Sequence, residues 1–186
     1  MAHPSVDRSA DQAASAAPPA AVDPRAPARL LWTAFAILLA DQVTKKLVVS
    51  LMGVGESLDL LGPAVRFTRT ENTGAAFGIF RGRSVLFVAI SALSCVAIVV
   101  FLREIARLRR VEQVGFSLVL GGALGNLVDR VRLGAVVDFI DIGVRDLRWP
   151  AFNVADSAIV VGVAVLAVRF LFFSRPGRPA NGPEAS

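Results

Sequence analysis

The sequence predicts an α-helical integral membrane protein with four transmembrane helices and a small extramembrane β element between helices 1 and 2. Three observations predict it. Four long apolar runs, near residues 30–52, 84–102, 113–132 and 153–173, divide the chain. Hydrophobic residues make up 54% of the 186 residues and charged residues only 19%, too apolar a balance for a soluble domain of this size. Finally, the basic residues stand at the edges of the apolar runs instead of clustering with aromatics. The net charge of +5 is therefore explained by orientation and lipid headgroups, not by nucleic-acid binding.

Residues 1–29 are rich in Ala, Pro, Ser and Asp, without an aromatic residue or hydrophobic periodicity, and are predicted to be a disordered tail. Arg25, Arg29 and LLWTAFAILLA imitate a signal peptide, but no A-x-A site follows and DQVTKK runs on into LVVSLM, so the segment reads as a retained first helix. At 1.5 Å per residue its 23 residues cross a ~30 Å hydrocarbon core. Asp41 and Lys45 interrupt it at i,i+4 with the acid first, the favourable order for a helical ion pair. Two readings stand for that pair: a working part of a site, or a neutralised pair that makes insertion tolerable.

Over 53–83 the hydrophobicity falls. VRFTRT at 65–70 alternates as a half-buried strand does, with Gly62-Pro63 before it and Asn72-Thr73-Gly74 after it. AAFGIF at 75–80 is read as an interfacial segment, with Phe77 and Phe80 at the headgroup boundary. Ser84–Leu102 is 19 residues without a charge, and Arg103, Arg107, Arg109 and Arg110 follow it, as on a cytoplasmic side. Four spans put both termini on one side. The Lys and Arg count ties at ten inside and ten outside, and only the density of the 103–110 loop favours termini inside. Residues 174–186 are predicted to be a second disordered tail.

One cysteine, Cys95, and one histidine, His3, exclude an intramolecular disulfide, a Cys metal cluster and a multi-histidine metal site, and argue against a Ser-His or Cys-His unit. Chemistry must then come from carboxylates, Lys, Ser or Thr. On the third helix Ser117, Gly121, Gly125 and Asp129 recur every four residues beside a stripe of Gly122, Asn126 and Arg130. Gly121 and Gly125 form a small-residue packing seam that delivers Asn126, Asp129 and Arg130 to the bundle interior. Asp129 and Arg130 are also readable as a plain interfacial ion pair. After this helix, Asp138 follows apolar Ala135–Val137, where desolvation raises its pKa, whereas Asp141 and Asp146 read as solvated or paired. Trp149 suits an interface, and Asn153 with Asp156 resembles a helix N-cap and its N3 partner. Asp138 and Asp156 are the candidate carboxylate pair: one activates water, while the other protonates or hydrogen-bonds a scissile carbonyl oxygen.

DQVTK at 41–45, ENTGAAFGIF at 71–80, GGALGNLVDR at 121–130, VVDF at 136–139 and FNVADSAI at 152–159 together make the chain resemble a lipoprotein signal peptidase, or signal peptidase II. The matches cover about residues 30–173 in the family's order. The resemblance implies a four-helix membrane aspartyl peptidase of the bacterial inner membrane, with cytoplasmic termini and a β cradle on the periplasmic side. It implies a diacylglyceryl-modified prolipoprotein substrate cut just before its lipidated cysteine, contact with membrane lipids, and globomycin-like peptide inhibitors at the aspartates, with no metal, organic cofactor or nucleic acid. Carried onto this chain, the catalytic residues are Asp138 and Asp156. Asp41, Lys45, Asn72, Gly74, Gly122, Asn126, Asp129, Arg130, Asn153 and Ala155 match the other motif positions. Two further classes compete: a small proton-coupled membrane carrier using Asp41, Asp129, Asp138 and Asp156 as relay sites, and a non-enzymatic assembly protein whose acids only pair with its arginines.

Overall fold

The computed structural model describes residues 23–74, 84–145 and 147–173. The tail residues 1–22 and 174–186, the 75–80 segment with Phe77 and Phe80, and Asp146 lie outside the described residues. In chain order the elements are α1 (Ala26–Leu51), β1 (Ser57–Leu61), β2 (Val65–Asn72), α2 (Ser84–Val100), α3 (Leu102–Ile105), α4 (Arg110–Leu133), β3 (Val136–Val144), β4 (Leu147–Arg148) and α5 (Val154–Phe173).

α1 begins at Ala26, ahead of the Leu30 start read from the sequence, so residues 26–29 belong to the helix and not to the tail. A proline in its first turn needs no hydrogen-bond partner there. Asp23 accepts from the Arg25 backbone N–H and from Arg29, whose other terminal nitrogen donates to Gln113 on α4. These local bonds order the chain before its apolar run starts.

α4 is the centre of the bundle, packed against α1, α2 and α5. Its glycines make that possible. A Cβ on Gly121 would stand 2.5 Å from the Ala34 carbonyl oxygen of α1, and one on Gly122 would strike the Ala155 carbonyl oxygen of α5. The predicted seam is thus a real line of close approach, and Gly122 belongs to it as well. Leu30, Ala34, Cys95, Leu120 and Ala123 fill the core around it. α4 and α5 are each long and apolar enough to cross a membrane, and α2 is a shorter apolar helix of 17 residues. Trp32 (70% exposed), Leu93 (71%) and Phe170 (74%) face outward, while Asp41, Lys45, Asn126 and Asn153 are buried. Apolar outside and polar within is the distribution a lipid environment selects.

The sheet is larger than the sequence suggested. The expected β element between α1 and α2 is present, with β2 covering VRFTRT, but β1 pairs with it as a hairpin and β3 and β4 extend it in the antiparallel order β1-β2-β3-β4. β3 opens with Val136, Val137, Asp138 and Phe139, all buried. A strand covered on both faces shows no alternation, which is why its pattern was not readable. Gly134 closes α4 in the left-handed conformation (φ 74°) and turns the chain into β3. Phe139 packs edge-on against Phe67 of β2 at 5.6 Å and lies on Val48 and Met52, joining the sheet to the end of α1.

Candidate active site

Four segments meet where α4 and α5 reach the sheet. α1 points Asp41 and Lys45 inward from successive turns, and their side chains form an ion pair at 2.8 Å. The Lys45 ammonium also reaches Asp129 at 2.8 Å and donates to the Asn126 side-chain oxygen at 3.1 Å. Its three N–H groups thus have three buried acceptors. The partner of Asp129 is therefore Lys45, not its sequence neighbour Arg130 as one reading had it. Adjacent helical residues point in different directions, and Asp129 and Arg130 line different cavities. Asp129 further accepts from the Val137 backbone N–H, which ties α4 to β3.

Asn153 and Asp156 form a reciprocal cap at the start of α5. The Asp156 N–H donates to the Asn153 side-chain oxygen at 2.8 Å, and the Asn153 N–H donates to the Asp156 carboxylate at 3.3 Å. The next free N–H of this helix end, on Ala155, donates to Asp41 at 2.9 Å. A helix N-terminus leaves such donors without intrahelical partners, and a carboxylate from α1 satisfies one here. Ala155 itself is fully buried, and only an alanine-sized residue lets α5 lie so close to Gly122 and Gly125.

Two asparagines hold each carboxyl of the candidate pair. Asp138 accepts from Asn153 at 2.7 Å on one oxygen and from Asn72 at 3.0 Å on the other. Asp156 accepts from the Asn126 amide at 2.7 Å, and Asn126 in turn accepts from Asn153 at 3.2 Å. Asn72 is held by the Gly74 backbone N–H, 2.9 Å from its side-chain oxygen. Arg130 stacks over the Phe87 ring at 5.2 Å and donates weakly to the Asn126 carbonyl, and its Nε is buried without a partner. The structure brings the site residues expected from the sequence together here: Gly74 and Ala155 join through backbone N–H groups, Gly122 through its close approach to α5, and the others through side chains.

Asp138 and Asp156 line one cavity of ≈ 660 Å³, together with Asn72, Asn126 and Arg130. Its remaining wall is mostly apolar and comes from α2, the β4–α5 connection and α5, including Phe87, Trp149, Phe152 and Val160. Burial, and then the neighbouring Asp156 charge, push the Asp138 carboxyl up to about 7, against the hydrogen bonds from Asn72 and Asn153. The native state therefore keeps a proton that an unfolded chain, near 3.8, would release. The stabilising contribution of this group is full below about pH 4 and is lost as pH rises through about 7.

Asp141 fares differently. Burial alone would raise it, but Arg66 and Arg148, each at 2.6 Å, and the Thr68 hydroxyl together hold it below the usual carboxylate range. It is a strut between β2, β3 and β4, in line with the paired reading. Gln42 was missed altogether. Its amide spans Asp41, the Gly125 carbonyl and Asp129, and no periodicity or motif spacing marks a residue of this kind. Among the described residues no group of three or more His, Cys, Asp or Glu side chains gathers as metal ligands.

The family model described as signal peptidase (SPase) II matches residues 33–172. A lipoprotein signal peptidase of Geobacillus kaustophilus (strain HTA426) is 43% identical over 145 residues, spanning 78% of this chain and 94% of that protein. One from Pelotomaculum thermopropionicum is 44% identical over 131 residues, spanning 70% and 84%. A solved structure described as a bacterial membrane enzyme superimposes with a TM-score of 0.71 at 36% identity, covering 77% of this chain and 88% of that one. A second, also described as a bacterial membrane enzyme, gives 0.70 at 35% identity, covering 79% and 95%. The match over most of the chain, joined to a membrane-enzyme fold with a small antiparallel sheet, places the chain in the signal peptidase II family of aspartic peptidases.

Proposed function

We propose that the protein removes the signal peptide from diacylglyceryl-modified prolipoproteins, cutting just before the lipidated cysteine, with Asp138 and Asp156 as the catalytic pair. One observation carries the assignment: two carboxyls, each held by asparagine amides, share a single cavity whose other walls are largely apolar. A polar floor under apolar walls suits an extended peptide whose acyl chains lie toward lipid. Asp138, raised by burial and by its neighbour's charge, lets the pair hold one proton between them. The ionised carboxylate takes a proton from water as the water oxygen attacks the scissile carbonyl carbon. The protonated one gives its proton to the carbonyl oxygen. Collapse of the tetrahedral intermediate breaks the C–N bond, and a proton passes to the leaving cysteine nitrogen.

In this reading four helices cross the bacterial inner membrane with both termini cytoplasmic, and the sheet end, carrying the pair, faces the periplasm. Asn72, Asn126 and Asn153 orient the aspartates, Asp41, Lys45 and Asp129 brace them, and Arg130 faces the substrate's backbone. No cofactor or metal takes part, membrane lipids surround the helices, and a globomycin-like peptide would compete for the pair.

The purified protein, given a diacylglyceryl lipobox peptide and the same peptide without lipid, is expected to cut only the lipidated one. Mass spectrometry of the products should show a new amino terminus at the modified cysteine. Equal cutting of the bare peptide, or a cut elsewhere, would remove the substrate assignment. For pH, kcat/KM is expected to fall on the alkaline side with a midpoint near 7, as the proton held at Asp138 is lost. A rate flat from pH 6 to pH 9 would count against proton sharing.

A further inference from the structure

A second cavity, of ≈ 390 Å³, lies between the sheet-proximal ends of α1 and α4 and shares no lining residue with the first. Lys45 and Asp129 line it, and Lys46 and Arg132 line it beside apolar Val43 and Leu133. Lys45 is committed to both Asp129 and Asp41, so it holds no charge in reserve for a ligand. Lys46 and Arg132 differ. Both are exposed, and neither has a carboxylate partner among the described residues.

Their surroundings are not those of ordinary surface cations. Val43, Leu47, Val49, Val131 and Leu133 around them are all exposed large hydrophobics, as on a face turned to lipid tails. Lys46 stands five residues from the end of α1 and Arg132 one residue from the end of α4. At 1.5 Å per residue both cations lie within roughly 8 Å of where their helices stop. A charge at that depth on an apolar face sits where hydrocarbon gives way to headgroups, and the counter-charge that medium offers is a lipid phosphate.

We infer that this cavity binds the headgroup phosphate of an anionic phospholipid, held between Lys46 and Arg132 with an acyl chain along Val43, Val49 and Leu133. Two cations without a carboxylate partner match a lipid of net negative charge better than a zwitterion, whose own ammonium competes for the phosphate. The site is separate from the peptide cavity but not remote from it. Lys45 lines it and donates to Asn126, which lines the other.

The test titrates the full-length, detergent-purified protein with phosphatidylglycerol and with phosphatidylcholine of the same chains, counting bound lipid by native mass spectrometry. One phosphatidylglycerol is expected to bind in preference to phosphatidylcholine. The double variant Lys46→Gln/Arg132→Gln should lose on the order of 30-fold in that affinity, at unchanged phosphatidylcholine binding. Val43→Trp keeps both charges but fills the cavity, and should displace the same lipid. Equal phosphatidylglycerol affinity in wild type and double variant, full binding by Val43→Trp, or no preference over phosphatidylcholine would each overturn the proposal. Inorganic phosphate that blocks the lipid at millimolar concentration would assign the cavity to free phosphate and overturn the lipid source. None of these outcomes depends on peptidase activity, so they stand apart from the catalytic assignment.

Discussion

Asp138→Asn and Asp156→Asn are each expected to lower cleavage of a diacylglyceryl lipobox peptide by on the order of 10³- to 10⁴-fold or more, with the protein still inserted and folded. An amide has the size of a carboxyl but cannot take a proton from water or deliver one to a carbonyl. At Asp138 the change also sets an NH₂ against one of two amide donors, Asn72 or Asn153, so a modest stability loss should accompany the rate loss. Single-turnover cleavage and a thermal-shift measurement on the same preparation separate the two effects. Retention of more than a tenth of the wild-type rate by either variant would show that the pair is wrongly assigned. A proton-coupled carrier predicts something else: graded loss of flux as single acids are removed, without peptide cleavage.

Lys45→Met is expected to be the most damaging single change to stability. It removes the one ammonium that meets both Asp41 and Asp129, whose side chains are 0% and 5% exposed. Leaving a charge buried without its partner costs about 3–5 kcal/mol, which in a chain of this length lowers Tm by roughly 6–20 °C. Asp129→Asn should cost less, because Lys45 keeps Asp41 and Asn126 as acceptors. A Lys45→Met protein melting within about 2 °C of wild type would show that the network contributes little to stability. Because Lys45 also orients Asn126, and Asn126 holds Asp156, its loss should reduce cleavage even in the folded fraction.

The difference between what the sequence revealed and what it hid follows the range of each interaction. The reciprocal cap of Asn153 and Asp156 was legible because both residues lie within one helical turn. So was the β2 strand, from the alternation in VRFTRT, though not its partner β1, and so was the glycine seam, from its four-residue period. Asp138 was legible as a carboxyl behind an apolar wall, but not as part of a strand, because burial on both faces removes the period of two that marks one. The Lys45–Asp129 pair joins residues 84 positions apart, and nothing local announces it. Local reading offered Arg130 instead, the neighbour in sequence but not in space. Gln42 stayed hidden for the same reason, since its partners Gly125 and Asp129 are set only by helix docking.

The asparagine bridge has a consequence for biosynthesis. Asn72 precedes α2, Asn126 lies within α4, and Asn153 with Asp156 opens α5, so the amides that grip the two aspartates come from widely separated segments. A nascent polypeptide emerging amino terminus first carries Asp138 before its partner exists. The proposed hydrolytic centre stays latent until α5 has docked against α4, and a half-inserted chain is an inert one.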